Sequence, residues 1–406
     1  MRLLIADKLH PRAIEELRTL PLDVSYEPDI TRESLSQRIA GVGILVVRST
    51  EVTSEVIDQA RQLHLIVRAG AEFSTIDVRA ASRRGIYVAN CPGRNAAAVA
   101  ELVYGLILSI DRRIPDAVAS LRAGRWERGD FGGAEGVHGK TLGIAGFGAV
   151  GREVAARARA FGLTPVAWSR SLNAAKAAEL GVGHAATLEE LATRSQILSL
   201  HLPISDKTRK LVGARVFSLL PMRAIFVNTA REGLVDAEAM SQAIEEKKLR
   251  VGLDVFPNEP KGNKEFPSGL FTPREPGEGF VYGTPHIAAS TDQAQLAIAT
   301  ETVRVIRSFL LQGNVPNVVN VSPSSVARFQ LVIRMVDRVG TFANVLNVIK
   351  RHGINVEEVT NTVFDGGVAS CAKLRVVSRP SEACLAEIHA FEEVLHVDMV
   401  PLPNLA

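Results

Sequence analysis

Thr141-Leu-Gly-Ile-Ala145, then Gly146-Phe-Gly148-Ala-Val-Gly151, then Arg152 to Phe161, is the stretch on which the fold turns. The first five residues read as a buried strand, the glycines as a tight turn, and the residues beyond as a helix. In that setting each glycine has a task. Gly146 permits the turn, Gly148 lets the backbone approach a pyrophosphate, and Gly151 lets helix pack on strand. The helix N-terminus, with Ala149 and Val150 in its first turn, then stabilises negative phosphate groups. A bare glycine turn with no ligand is the weaker reading, because strand, turn and helix are all present.

The same alternation continues on both sides. Downstream, Pro165-Val-Ala-Trp168, Ile197 to His201, Ala224 to Val227 and Val251 to Val255 read as strands. Upstream, Leu3 to Ala6, Gly43 to Val47, Leu65 to Val67 and Ile86 to Ala89 do so, with helices at Pro11 to Leu20 and Thr53 to Ala60. Repeated βα units predict an α/β chain with two doubly wound parallel sheets, each covered on both faces. Ala96 to Arg112 is a helix apolar around much of its circumference, which suits burial or a subunit interface. Gly124 to Gly139 and Asn258 to Gly283 read as loops, and Thr291 to Gln312 as a helix.

Val321-Ser-Pro-Ser-Ser325 reads as a linker, and beyond it the pattern changes. Strand Phe329 to Met335 precedes helix Thr341 to His352. Strands Asn355 to Phe364 and Val368 to Val377 meet at Asp365-Gly-Gly367, a hairpin signal. Helix Ser381 to Glu393 and strand Leu395 to Val400 complete a βαββαβ order, that of a small ferredoxin-like domain.

Three charged residues near the end of the main body suggest a chemistry. Arg231 lies in Asn228-Thr-Ala-Arg231, Glu259 in Phe256-Pro-Asn-Glu259-Pro260, and His286 in Thr284-Pro-His286. A guanidinium holds a carboxylate through two parallel hydrogen bonds. An imidazole suits proton transfer near neutral pH, and a carboxylate bonded to it fixes its tautomer. Together they suit reversible oxidation of a 2-hydroxy acid. Each alone has an ordinary structural reading; the glycine fingerprint upstream gives the set its meaning. Cofactor choice stays open between NAD and NADP. The acidic residue that bonds ribose hydroxyls in NAD sites is absent, and Trp168-Ser169-Arg170-Ser171 stands there, which can hold a 2′-phosphate or leave Arg170 a surface residue.

The chain has 406 residues, 46% of them hydrophobic and 22% charged, which suits two or three folded domains and argues against disorder. A formal charge of +3 without a long basic run gives no support to nucleic-acid or membrane binding. Cys91, Cys371 and Cys384 are scattered without metal-ligand spacing, so no metal is expected and a reducing cytoplasm is. The N-terminus lacks the apolar core of a signal peptide.

These motifs resemble the D-isomer-specific 2-hydroxyacid dehydrogenases, and most of all their phosphoglycerate dehydrogenase branch with a C-terminal ACT domain. The resemblance rests on Arg48-Ser-Thr50, Arg68-Ala-Gly70, Pro92-Gly-Arg-Asn95, Gly139 to Ile144, His201-Leu-Pro203, Asn228 to Asp236, Leu253 to Pro260 and Pro285 to Thr291. It implies a discontinuous substrate-binding domain (1–95 and 287–320), a dinucleotide-binding domain (96–286) and an ACT-like regulatory domain (327–406). It implies Arg231, Glu259 and His286 as catalytic residues. Cofactor contacts fall on Gly146, Gly148, Ala149, Val150, Gly151, Ser169, Arg170, Leu202, Pro203, Thr208, Thr229, Ala230, Arg231, Asp254, His286 and Ala289. Substrate contacts fall on Arg48, Arg68, Gly70 and Arg231, although Arg48 and Arg68 each also read as an ordinary surface residue. In the ACT-like segment, Asp337 and Asn355 would hold an amino-acid effector, L-serine, unless that module only dimerises. A homodimer or homotetramer is expected. The implied substrate is a 2-hydroxy or 2-keto acid: 3-phospho-D-glycerate in serine biosynthesis, or alternatively glyoxylate or hydroxypyruvate with NADPH. A corepressor-like cofactor sensor is the non-enzymatic alternative. One departure stands out: Ala69-Gly70-Ala-Glu72-Phe73 places Glu72 where the family pattern has glycine.

Overall fold

Leu3–Ile5, Ile44–Val47 and Leu65–Val67 are buried, as strands covered on both faces must be. The computed structural model describes residues 1–260, 264–266, 268–271, 277–322 and 325–403. Parts of the predicted Asn258-to-Gly283 loop and of the linker after Val321 lie outside them. The chain divides into two compact units, Met1–Asn320 and Val321–Ala406.

The first unit holds two parallel sheets. One contains β1 (Arg2–Ile5), β2 (Asp23–Tyr26), β3 (Val42–Val47), β4 (Leu65–Arg68) and β5 (Tyr87–Ala89), in the order β2-β1-β3-β4-β5. The other contains β6 (Thr141–Ala145), β7 (Thr164–Trp168), β8 (Gly183–His184), β9 (Ile197–Leu200), β10 (Ile225–Asn228), β11 (Arg250–Leu253) and β12 (Phe280–Gly283). Its order is β12-β11-β10-β9-β6-β7-β8, so the sequence of strands reverses beside β6. Open parallel sheets bind ligands at that reversal, outside the carboxyl ends of the strands. The glycine turn begins at the carboxyl end of β6.

Three strands escape a reading of hydrophobic pattern. β2 is the edge strand Asp-Val-Ser-Tyr, and β8 is two residues long. β12 sits inside the Gly- and Pro-rich stretch that reads as loop, and it pairs in register with β11. Helix Ile114–Arg122 was likewise not predicted, and the helix after Ser381 ends at His389. Helix Ala96–Arg112 is buried along much of its length. Its apolar positions Val103, Leu106, Ile107 and Ile110 pack on the β6–β12 sheet, and the Tyr104 hydroxyl donates to Val154 O at 2.7 Å. These positions are therefore buried inside the chain, as the sequence suggests, while Ala97 and Gly105 are exposed.

Helix Asp292–Gln312 carries the chain back to the first sheet, packing Ile298, Val303 and Ile306 on β1, β3 and β4. Its buried Glu301 ties that return to the outgoing crossover. The carboxylate accepts from Arg304 at 2.5 Å, Asn317 at 2.6 Å and Arg94 at 2.7 Å. These bonds, led by that from Arg304, hold its pKa near 2 against burial, compared with an ordinary value of 4.5. A depressed carboxyl contributes stability above its unfolded pKa and loses it as pH falls toward the folded value. Glu301→Gln is expected to lower stability at pH 7 by about 1–3 kcal/mol, as for a lost charged hydrogen-bond partner. Wild type and variant should converge between pH 4.5 and about 2; urea titrations at neutral and acid pH check this.

The second unit is an antiparallel sheet of β13 (Phe329–Val336), β14 (Val356–Val363), β15 (Ala369–Val376) and β16 (Val394–Pro401), ordered β14-β15-β13-β16. Helices Thr341–Arg351 and Glu382–His389 bury Val345, Val348, Ile349, Cys384 and Ile388 against Leu331, Ile333 and Leu374. This is the predicted βαββαβ unit, of ACT-like form. Among the described residues no helix is long and apolar enough to cross a membrane, and no cluster of three metal-binding side chains occurs.

Candidate active site

β10, β11 and β12 end level with one another, Asn228 beside Leu253 and Leu253 beside Gly283. Arg231, Glu259 and His286 leave from these three ends. Neighbouring strands lie about 4.8 Å apart, so the anchors span roughly 10 Å. Local hydrogen bonds then aim each side chain. Asn228 makes the turn carrying Arg231: its Nδ2 donates to Arg231 O at 2.8 Å and its Oδ1 accepts from Ala230 N at 3.0 Å. Asp254 shapes the loop carrying His286, accepting from Thr284 Oγ1 at 2.6 Å, Ile287 N at 2.8 Å and Ala288 N at 2.9 Å. That scaffold holds His286 at φ 51°, a left-handed conformation rarely adopted by a side-chain-bearing residue. Glu259 accepts from Phe256 N at 2.8 Å through Oε1, and through Oε2 it meets His286 Nδ1 at 2.6 Å. The imidazole therefore donates from Nδ1, leaving Nε2 for proton exchange; its side chain is 49% exposed.

Asp254 itself is fully buried. Its bonds give it a positioning task that sequence reasoning, which put it beside the nicotinamide, did not supply. Thr208 is similar: its hydroxyl donates to Pro203 O at 2.7 Å and accepts from Ser205 N at 2.8 Å, so it shapes the loop that also carries Leu202 and exposed Pro203. Ala289 accepts from Gln295 Nε2 at 2.9 Å.

The glycine turn fits a dinucleotide. Gly146 has φ +100°, and a Cβ there would stand 2.4 Å from His201 O. A Cβ on Gly151 would stand 2.2 Å from Gly146 O, so helix Ala149–Ala158 approaches its strand by a route only glycine allows. Gly148 faces open space and caps that helix without a side-chain hydrogen bond, which leaves the first N–H groups of Ala149 and Val150 available. Beyond β9 and β10, His201 Nε2 and Thr229 Oγ1 are buried without partners. Burial holds His201 near pKa 3, so its ring is neutral and can bond an uncharged polar group. Ser169 and exposed Arg170 follow β7, where no acidic residue stands.

Across the cleft, the loop after β4 contributes Arg68, Gly70 and Glu72. Arg231 Nε donates to Glu72 Oε2 at 3.1 Å, and Nη2 contacts the same oxygen. This pair joins residues 159 positions apart and brings the carboxyl ends of the two sheets face to face. Arg48 is held by Asp7, whose Oδ2 accepts from the backbone N of Arg48, Ser49 and Thr50 at 2.7, 3.0 and 2.9 Å. In the second unit, Asp337 and Asn355 are exposed, with Asn355 Nδ2 donating to Glu357 at 2.7 Å.

Comparison with known proteins places this architecture. Residues 104–288 match the sequence model described as D-isomer specific 2-hydroxyacid dehydrogenase, NAD binding domain. Over 287 residues the chain is 38% identical to hydroxypyruvate reductase of Thermotoga maritima, covering 70% of this chain and 90% of that protein. The chain belongs to the D-isomer-specific 2-hydroxyacid dehydrogenase family. It is also 38% identical over 345 residues to D-3-phosphoglycerate dehydrogenase of Methanocaldococcus jannaschii, covering 84% of this chain and 64% of that protein. The chain thus spans less than two thirds of the length of that family member. An NADPH-dependent glyoxylate/hydroxypyruvate reductase of Sinorhizobium meliloti, solved with NADP and malonate, superposes with a TM-score of 0.67 at 27% identity, covering 78% of this chain and 96% of that one. The matched residues 104–288 contain the whole β6–β12 sheet and its glycine turn.

Proposed function

We propose that this chain is an NAD(P)-dependent oxidoreductase that interconverts a 2-hydroxy acid and its 2-keto acid. The observation that carries the reading is the His286–Glu259 pair at 2.6 Å, placed with Arg231 on three adjacent strand ends of a dinucleotide-binding sheet. A nicotinamide cofactor, when bound at the glycine turn, would supply hydride-transfer chemistry at the substrate's C2. Arg231 holds the substrate carboxylate and draws charge toward the carbonyl. His286 gives a proton to the C2 oxygen in reduction and takes it in oxidation, with Glu259 fixing the ring tautomer and balancing its charge when protonated. Residues 1–95 and 287–320 form the substrate-binding part and 96–286 the dinucleotide-binding part. Gly146 to Gly151 hold the pyrophosphate, and Ser169 with Arg170 selects the ribose.

For the substrate, 3-phospho-D-glycerate is supported by the phosphoglycerate dehydrogenase relatives and by the ACT-like second unit. In that setting Asp337 and Asn355 would receive L-serine. A specific observation favours the second reading, a small 2-keto acid such as glyoxylate or hydroxypyruvate: Glu72 adds a negative charge where the phosphorylated acid would bring its own. The Thermotoga maritima and Sinorhizobium meliloti relatives are named for such acids. The test is a steady-state assay of the full chain with glyoxylate, hydroxypyruvate and 3-phosphoglycerate, each with NAD(H) and NADP(H). Turnover of one or more is expected. Cofactor binding without turnover of any would overturn the oxidoreductase reading in favour of a sensor.

A further inference from the structure

Arg231 offers an outer edge of two parallel donors, Nε and Nη2, and Glu72 Oε2 lies on both. Nη1 is turned away, donating to Ala230 O at 2.5 Å. The edge best shaped to hold a carboxylate in two-point fashion is therefore already held by a carboxylate of the chain itself. The two side chains are 29% and 33% exposed, so the pair is reachable and exchangeable. Arg68 borders the same place. Its guanidinium lies back over Gly70, and its Nε is buried without a partner. Burial lowers the pKa of Arg68, Glu72 raises it, and Arg48 and Arg231 lower it, so Arg68 feels the charges of all three.

We propose that Glu72 is a specificity-determining residue: it competes with the substrate's carboxylate for Arg231, and once displaced it stays in the site beside Arg68 and disfavours a second negative group on the ligand. The inference rests on the reading of Arg231 as the substrate's carboxylate anchor. Its physical content is simple. Two carboxylates cannot share one guanidinium edge, so every acid that binds pays for breaking the internal pair. A displaced Glu72 leaves the site one charge less positive than Arg48, Arg68 and Arg231 alone would make it. An acid with one charge tolerates that; an acid with two meets repulsion.

Oxamate and oxalate separate these effects, because they are close in shape and differ by one negative charge. Calorimetric titration of each into the cofactor-saturated full chain would compare wild type with Glu72→Gln, which keeps side-chain size, and Glu72→Gly, which frees the edge fully. Thermal unfolding would confirm that both variants fold. Oxamate is expected to bind about twofold to fivefold more tightly in both variants, the equilibrium equivalent of one partly exposed ion pair. Oxalate is expected to gain more than oxamate. An unchanged oxamate affinity, or equal gains for the two anions, overturns the assignment. In assays, a fall in KM with little change in kcat is the matching signature, since the lost competitor acts on binding alone. If wild type turns over no 2-keto acid yet the variants bind oxamate more tightly, the proposed reaction fails and the assignment of Glu72 stands.

Discussion

His286→Ala is expected to lower kcat for 2-keto acid reduction by about 10²–10⁴-fold, the range supplied by a positioned general acid. The imidazole stands half exposed with its Nδ1 2.6 Å from Glu259, on a left-handed backbone maintained by the Asp254 carboxylate. Dinucleotide affinity should fall far less than kcat, because the glycine turn proposed to hold the pyrophosphate lies on the other side of the sheet's reversal. Glu259→Gln offers a graded companion. It keeps the bond to Phe256 N within reach but replaces the negative partner of Nδ1, so kcat should fall by less than in His286→Ala. Pre-steady-state and steady-state rates at saturating cofactor check both. A His286→Ala enzyme within about threefold of wild type would remove the imidazole from the chemistry.

Gly151→Val is the second large effect, and it acts on structure before chemistry. The added Cβ would stand 2.2 Å from Gly146 O and 3.3 Å from Ile144 Cγ2. The nearer contact is backbone, so rotamer adjustment cannot relieve it. Helix Ala149–Ala158 must move off β6, carrying with it the N–H groups proposed to hold the pyrophosphate. Overpacking of this kind costs about 1–3 kcal/mol and sometimes more. Displacing the cradle as well should weaken dinucleotide binding by about 100-fold or beyond, equivalent to roughly 3 kcal/mol. Thermal unfolding and fluorescence titration with NADH and NADPH measure the two losses separately. Gly148→Ala is the control: a Cβ there meets nothing in the protein, so the fold should be kept and any loss should fall on the cofactor alone.

Much of this was legible in the chain because it is local. The glycine turn declares itself by lying between a five-residue apolar strand and a helix, and the structure keeps that order. The βαββαβ tail is readable from alternation and from Asp365-Gly-Gly367. Arg231, Glu259 and His286 can be singled out by residue type, and all three leave from level strand ends. What escaped depends on contacts over long separations. Asp7 holds the Arg48 loop from 41 residues away, and Asp254 holds the His286 loop across 33. Nothing in a window of sequence marks either aspartate as a loop anchor. β12 hides among glycines and prolines because pairing with β11, rather than its own composition, makes it a strand. Glu72 was visible as a departure from the family pattern, but only the fold brings it onto Arg231.

The most direct measurement of the central claim is isotope transfer. The full chain would be incubated with NADH and NADPH deuterated at nicotinamide C4, together with glyoxylate or hydroxypyruvate, and the 2-hydroxy acid formed analysed by mass and NMR. The account predicts one deuterium bonded to C2, its transfer abolished or slowed by orders of magnitude in His286→Ala. Cofactor that binds without passing deuterium to C2 of any 2-keto acid offered would contradict it.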